Sequence, residues 1–258
     1  MFTSSIDPIL AQIGPFQIRY YGIVYALAFL FAMYKCKQWG RQGILKISDE
    51  QAYDLAFWLA VGSVLGGRVF NIIIWEPGYY FENPLKILYF WEGGMAYHGG
   101  IIGAIIAVWL YCRKHSLPAL RIGDLLAPYA SFVLGIGRLA NFTNAEIYGP
   151  ITKLSWCVNF PGVQGCRHPY QIYSALKRFL IGGVLLRISK QKKPDGYVLW
   201  IGIFLMNAGR FFLDFLRDDA EYLIVWLSLG QWVSLVFALG SAYLLWGILT
   251  KNKITTLT

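Results

Sequence analysis

Seven apolar blocks, each close to the length that crosses a lipid bilayer, constrain this 258-residue chain more than any other feature. A transmembrane helix needs about 20 mostly apolar residues. The blocks fall at about 20–39, 52–74, 93–112, 122–141, 169–187, 196–216 and 229–249. Composition agrees: 57% of residues are hydrophobic and 14% are charged, against roughly 25% charged in a soluble domain. The pattern predicts an all-α polytopic membrane protein of seven transmembrane helices. It forms one integral membrane domain over residues 1–258, with a small external loop region at about 142–168. The fifth block is the most polar, because it carries Lys177 and Arg178. Met1 to Arg19 contains Asp7, Pro8 and Pro15 without a basic flank, so it does not read as a cleavable signal peptide.

Charge sets the expected orientation, since cytoplasmic flanks collect Lys and Arg close to the ends of spans. Alternate connections are basic. The first has Lys35, Lys37, Arg41 and Lys46, the second Arg113, Lys114 and Arg121, and the third Arg187, Lys190, Lys192 and Lys193; Lys251 and Lys253 follow at the C-terminus. These are 13 of the 23 basic residues. The remaining connections are mixed or acidic, with Glu76, Glu82, Lys86 and Glu92, then Arg217, Asp218, Asp219 and Glu221. The N-terminus is therefore expected outside and the C-terminus in the cytoplasm. The net charge of +9 reflects this asymmetry and the attraction of basic flanks to anionic lipid. It does not call for nucleic acid.

Four cysteines are present. Cys36 and Cys112 lie near cytoplasmic span ends, where thiols stay reduced. Cys157 and Cys166 share the longest external loop, separated by a stretch containing Pro161, Gly162 and Gly165. An oxidising exterior and a turn-rich separator make them a candidate disulfide, with two unpaired thiols as the alternative. Metal-ligand spacing is missing and only three His occur, so redox and zinc chemistry are not expected.

The costly polar residues gather toward one leaflet in this topology. Tyr20 and Tyr21 open the first span, while Arg68 and Asn71 close the second. His98 lies early in the third, within Gly93-Gly94-Met95-Ala96-Tyr97-His98-Gly99-Gly100. Arg138, Asn141 and Asn144 end the fourth, His168 opens the fifth, and Arg210, Asp214 and Arg217 end the sixth. Ionisable groups inside a membrane are expensive and mark functional sites. If the fourth helix runs on to Asn144, then Arg138, Asn141 and Asn144 share one broad face. A guanidinium beside carboxamides suits an anionic, oxygen-rich ligand such as a phosphate diester. The alternative is a patch that ties helices together by hydrogen bonds. His98 is either a packed histidine or a proton carrier, the side chain best suited to that work near neutral pH. Arg210 and Asp214 at i, i+4 also fit a neutralising helix pair. Gly62-x-x-x-Gly66 and Gly99-x-x-x-Gly103 mark close helix packing.

The string Gly-Arg-Leu-Ala-Asn-Phe-Thr-Asn-Ala-Glu-Ile-Tyr-Gly at 137–149 resembles the signature of bacterial phosphatidylglycerol–prolipoprotein diacylglyceryl transferases. The resemblance extends over nearly the whole chain. It takes in Tyr-Tyr-Gly at 20–22, Gly-Gly-Arg at 66–68, the 93–100 string, Arg167-His168-Pro169 with Gln171 and Tyr173, Arg210 through Arg217, and Leu229-Gly230-Gln231. It implies seven spans with the N-terminus outside, in the bacterial cytoplasmic (inner) membrane, and a site facing the outer leaflet. It implies transfer of diacylglyceryl from phosphatidylglycerol to the lipobox cysteine of a prolipoprotein signal peptide, with glycerol-1-phosphate leaving and no cofactor. By the same resemblance His98 handles the proton and Arg138 and Arg210 hold the lipid phosphate. Asn141 and Glu146 orient groups around them, Gly149 matches a family glycine where the loop begins, and Tyr21 lines the cavity. Arg68, Asn144 and Asp214 complete the candidate substrate-binding set.

The chain departs from the family pattern in several places. Ser174 stands where Glu is usual, Arg178 replaces a carboxylate one turn later and follows Lys177, and Asp214 stands for Glu. The loop after Gly149 is short, reading Pro-Ile-Thr-Lys-Leu-Ser-Trp-Cys. These changes bear on substrate identity more than on fold. Two other readings stay open here: a diverged relative that moves another lipid group or uses another acceptor, and a non-enzymatic lipid-binding or transport protein. Transport predicts matched inverted repeats, and the sequence shows no such internal similarity.

Overall fold

The computed structural model describes residues 2–3, 9–13, 16–90, 93–218 and 223–255. Seven long helices overlap the seven apolar blocks: α1 (Tyr20–Arg41), α2 (Asp49–Phe70), α4 (Tyr97–Lys114), α5 (Ala119–Thr143), α6 (Tyr170–Ser189), α7 (Tyr197–Leu213) and α8 (Leu229–Thr255). Between α2 and α4 come a π-helical turn (Asn71–Trp75), the short α3 (Pro77–Glu82) and a 3-10 turn (Pro84–Leu88). Strands are minor. β1 (Phe2–Thr3) pairs in parallel with β4 (Val158–Asn159), β2 (Ile9–Ile13) pairs with β3 (Phe16–Arg19), and β5 (Leu223–Ile224) forms an antiparallel pair with β6 (Leu227–Ser228).

Among the described residues, four segments are both long and apolar enough to cross a membrane: Asp49–Trp75, Ala119–Thr143, Tyr197–Leu216 and Leu229–Thr250. α6 is diluted by Lys177 and Arg178, and α1 carries Lys35 and Lys37. Large apolar side chains such as Leu30, Phe57, Ile105, Leu180, Val236 and Trp246 are exposed along the helices. Contiguous apolar exposure on this scale fits a surface meant for lipid rather than water.

The chain forms two compact units. One comprises Ala11–Ile18 and Tyr25–Ile122. In it, Ser48 caps α2: its hydroxyl accepts from the Gln51 amide at 3.1 Å while the Gln51 side chain accepts from the Ser48 amide at 3.0 Å. α2 then packs on α4 through glycines. A Cβ on Gly62 would lie 2.5 Å from both the Gly103 carbonyl oxygen and Ala107 Cβ, and one on Gly66 would lie 2.7 Å from Gly103 Cα and collide with the Gly99 carbonyl. Backbones approach closely enough for the Ala96 amide to donate to the Gly67 carbonyl at 3.0 Å. The two Gly-x-x-x-Gly pairs thus face each other.

The second unit comprises Met1–Leu10, Arg19–Val24 and Gly123–Thr258. Ile181, Leu185 and Val198 form the core between α6 and α7, with Ala127, Ile201 and Leu205 packed against them. Phe179 lies over Gly135 and Phe132 over Gly182, so α5 and α6 exchange aromatic rings across small residues. Asp124, 2% exposed, caps the start of α7 from α5, accepting from the Gly196 amide at 2.7 Å and the Leu199 amide at 2.8 Å. A carboxylate there also complements the positive end of the helix dipole. α8 opens with a second capping box, Ser228 with Gln231, and Gln231 Nε2 reaches the Phe211 carbonyl of α7 at 3.1 Å.

Candidate active site

α5 ends at Thr143, one residue short of Asn144, but the Asn144 amide still donates to the Ala140 carbonyl at 3.1 Å. The chain then doubles back. Ala145 and Ile147 adopt φ of 55° and 57°, a left-handed backbone that a β-branched residue rarely accepts. Between them, Glu146 turns toward the helix end. Its carboxylate accepts from Asn144 Nδ2 at 2.8 Å and from Asn141 Nδ2 at 3.2 Å, and Asn141 Oδ1 accepts from Arg138 Nη1 at 3.2 Å. Gln171 Nε2 of α6 donates to the Glu146 carbonyl at 2.6 Å. A ladder therefore runs from Glu146 through Asn141 to Arg138. Among the described residues only one N–H of Arg138 is engaged in it, leaving the rest of the half-buried guanidinium for a ligand.

A second cation lies in the same unit. Arg210 Nε donates to Asp214 Oδ2 at 3.2 Å, and the other Asp214 oxygen accepts from the buried Tyr170 hydroxyl. Asp214 is thus held from two helices, and Arg210 is fixed through it. At the start of α8, a Cβ on Gly230 would come within 2.9 Å of Arg210 Nη2 and 3.1 Å of Asp214 Oδ2. Both Arg138 and Arg210 lie within electrostatic reach of the Tyr170 hydroxyl.

The loop after the ladder is anchored at Gly149, whose amide donates to the His168 carbonyl at 2.9 Å. A Cβ there would stand 2.7 Å from both His168 Cβ and the Leu216 carbonyl oxygen, so only glycine fits. Arg167 pairs with Asp218 and stacks over Tyr148 at 4.9 Å. Cys157 and Cys166 are joined by a disulfide with Cα atoms 5.4 Å apart, which closes the same loop. Beside it, Phe142, Trp156, Val158, Pro169, Ile172, Tyr173 and Leu176 line an apolar cavity of about 400 Å³. Trp156 Nε1 donates to the Tyr173 hydroxyl at 2.8 Å on its rim.

Arg68 belongs to the other unit and is used differently. It is 3% exposed, and its guanidinium donates to the carbonyls of Ile87 (3.1 Å), Gly93 (2.6 Å), Gly94 (3.1 Å), Tyr89 (3.2 Å) and Lys86. All five of its donors are thereby directed to the 86–94 loop. With Glu76, Tyr79, Tyr80 and Lys86 it lines a cavity of about 270 Å³. The side chains of Tyr21 and His98 lie outside the described residues; only their helical backbone, in α1 and α4, is described.

The structure thus brings Arg138, Asn141, Asn144 and Glu146 into one ladder and Arg210 and Asp214 into one pair, with Gly149 at the base of the loop between α5 and α6. Sequence reasoning missed Tyr170 as the second holder of Asp214, and it did not assign Gln171 a role although that residue sits inside a recognised string. No local signal marks Tyr170, because its partner is 44 residues away.

Apolar helices of membrane length that carry arginines, carboxamides and carboxylates at their ends define a membrane protein with a cluster of polar side chains at its helix ends. The sequence profile of the family described as prolipoprotein diacylglyceryl transferase matches residues 8–247. The chain belongs to that family. It is 38% identical over 259 residues to the phosphatidylglycerol–prolipoprotein diacylglyceryl transferase of Bordetella avium, covering 96% of each chain. The proteins of that name from Geobacter sulfurreducens and Idiomarina loihiensis are 37% and 38% identical, covering 91% and 90% of this chain and 93% and 89% of theirs.

Proposed function

We propose that this protein transfers the diacylglyceryl group of phosphatidylglycerol to the lipobox cysteine of prolipoproteins, the first step of lipoprotein maturation. Family membership supports the reading, and the two arginine clusters supply chemistry suited to it. The acceptor thiol loses its proton, because the thiolate is the nucleophile. Its sulfur attacks the glyceryl carbon, an S–C bond forms, and the C–O bond to phosphate breaks. The electron pair stays on the phosphate oxygen as glycerol-1-phosphate departs. Arg138 and Arg210 face that developing charge in a site of low dielectric, where fixed donors count most. Asn141, Asn144 and Glu146 set the direction of Arg138, and Asp214 sets that of Arg210. In this reading, on the family resemblance, His98 takes the thiol proton, while Tyr21 and Gly149 shape the lipid site. The protein crosses the bacterial inner membrane seven times with its N-terminus outside and the site toward the outer leaflet.

The observation that carries the reading is the Arg138–Asn141–Glu146 ladder, a cation held by carboxamides at the end of an apolar helix. The test is an assay of the purified protein with phosphatidylglycerol and a lipobox peptide. The expected result is a peptide heavier by one diacylglyceryl group for each glycerol-1-phosphate released. Phosphate release without peptide modification, or an unmodified peptide with intact lipid, overturns it.

A further inference from the structure

The hairpin between α7 and α8 is closed by a turn that its own residues disfavour. β5 and β6 pair with Leu223 opposite Ser228 and Ile224 opposite Leu227, which leaves Val225 and Trp226 as a two-residue connection. Both take positive φ, 49° and 65°. That is the pattern of a type I′ turn, where Asn-Gly is preferred because a side chain branched at Cβ fits left-handed backbone poorly. The strain secures no burial inside the protein: Val225 is 73% exposed and Trp226 89%. The base of the hairpin, by contrast, is fixed. Ser228 is buried within the α8 capping box, and Gln231 of that box holds the Phe211 carbonyl of α7. A fastened stem thus presents two large apolar side chains outward.

Position decides what meets them. The hairpin joins two segments of membrane-crossing length, Tyr197–Leu216 and Leu229–Thr250. The second has 22 residues, about 33 Å of helix against a hydrocarbon core of about 30 Å. Leu229 therefore stands close to the edge of the core. Trp226 precedes it by three residues, and an extended chain rises about 3.3 Å per residue, so the tip lies within about 10 Å of that edge. Headgroups occupy about 5–8 Å on each side of the core. The tip falls at that layer, where an indole keeps its rings among apolar groups and its N–H among phosphates and carbonyls. A second copy of the chain is a poor match. A tryptophan buries at most about 250 Å², whereas a stable interface takes about 800 Å² from each partner.

We propose that Val225 and Trp226 anchor the α7–α8 hairpin in the headgroup layer of the membrane. The partner is the lipid surface itself. The tip is four residues from Gly230, whose backbone lies against Arg210 and Asp214, so the anchor acts at the end of the molecule that carries that ion pair. The anchor is independent of the transfer reaction proposed above, since it needs only that the two flanking helices cross the membrane.

Val225→Cys in the full chain, labelled with a nitrobenzoxadiazole dye in phosphatidylcholine–phosphatidylglycerol nanodiscs, tests this and leaves Trp226 in place. Cys36 and Cys112 are buried and Cys157 is bonded to Cys166, so the dye reports the added thiol. Its emission is expected to be blue-shifted, and to be quenched more by a nitroxide near the lipid headgroup than by one at the end of the acyl chain. Adding Trp226→Ser is expected to return the emission toward its value in water and to remove most of the quenching. Emission characteristic of water with no quenching by either lipid, or a signal unaltered by Trp226→Ser, would overturn the proposal. Stronger quenching from the chain end would place the tip in the core and overturn it as well. Emission that stays aqueous in lipid and turns blue only when a lipobox peptide is added would assign the tip to the peptide instead, and the anchor would be refuted.

Discussion

Arg138 and Arg68 are the same side chain put to opposite uses. Arg68 directs every donor to main-chain carbonyls of one loop, whereas Arg138 gives a single N–H to Asn141 among the described residues. Removing Arg68 strands buried carbonyls, each at a cost of about 1–3 kcal/mol. Removing Arg138 strands little but, in the proposed reaction, withdraws a charge from the phosphate. Arg138→Gln is therefore expected to insert and melt like the wild type in detergent while turnover falls about 10²–10³-fold, as on losing an oxyanion donor. Arg68→Gln should give poor yield or early melting, with near-normal turnover in whatever folds. Turnover and melting temperature measured on both variants check this; a normally active Arg138→Gln enzyme would exclude it from the chemistry. The sequence made both arginines visible as costly intramembrane charges. It did not tell them apart, because the partners of Arg68 are backbone carbonyls 18 to 26 residues downstream, and a carbonyl has no sequence identity.

At the scale of elements, what was legible followed short-range rules. The paired Gly-x-x-x-Gly strings pointed to a close helix contact, and the structure places them on α2 and α4 against each other. The Ser-x-x-Gln spacings at 48–51 and 228–231, not singled out from the sequence, are both capping boxes in the structure. The α3 and 3-10 turns at 77–88 were not legible, because short turns opened by Pro77 and Pro84 lack an apolar period to read. Asp124 was missed as a cap because it serves a helix 72 residues away. Two predictions belong here. Gly66→Val forces a branched side chain into backbone, so its cost is of overpacking size, about 1–3 kcal/mol or more. Asp124→Ala uncaps α7 and should cost about 0.5–2 kcal/mol. Thermal unfolding in detergent measures both, and an unchanged Asp124→Ala midpoint would show that the carboxylate does not support α7.

For the whole molecule, the apolar blocks forecast seven transmembrane helices; a long helix overlaps each block, because the length of an apolar run is a local property of the chain, and among the described residues four segments are long and apolar enough to cross a membrane. The orientation depends instead on the 13 clustered basic residues. The prediction is that reporter fusions at Lys192 are active as cytoplasmic fusions and that fusions in the 150–166 loop are active only outside. External activity at Lys192 would invert the arrangement. The disulfide lies in that same loop, and the predicted exterior location would keep it oxidised.

The turn that holds Glu146 has a consequence for timing. Left-handed geometry at Ala145 and Ile147 costs of order 1–3 kcal/mol per residue. That cost is met once, when the chain folds, by the contacts of Glu146 with Asn141, Asn144 and Gln171. In the proposed reaction, a headgroup arriving from the membrane would then meet a carboxylate and a guanidinium that are already aimed, with little entropy left to lose. Glycine at 147 would relax the turn and return that freedom to the unliganded protein, so affinity, more than stability, would fall.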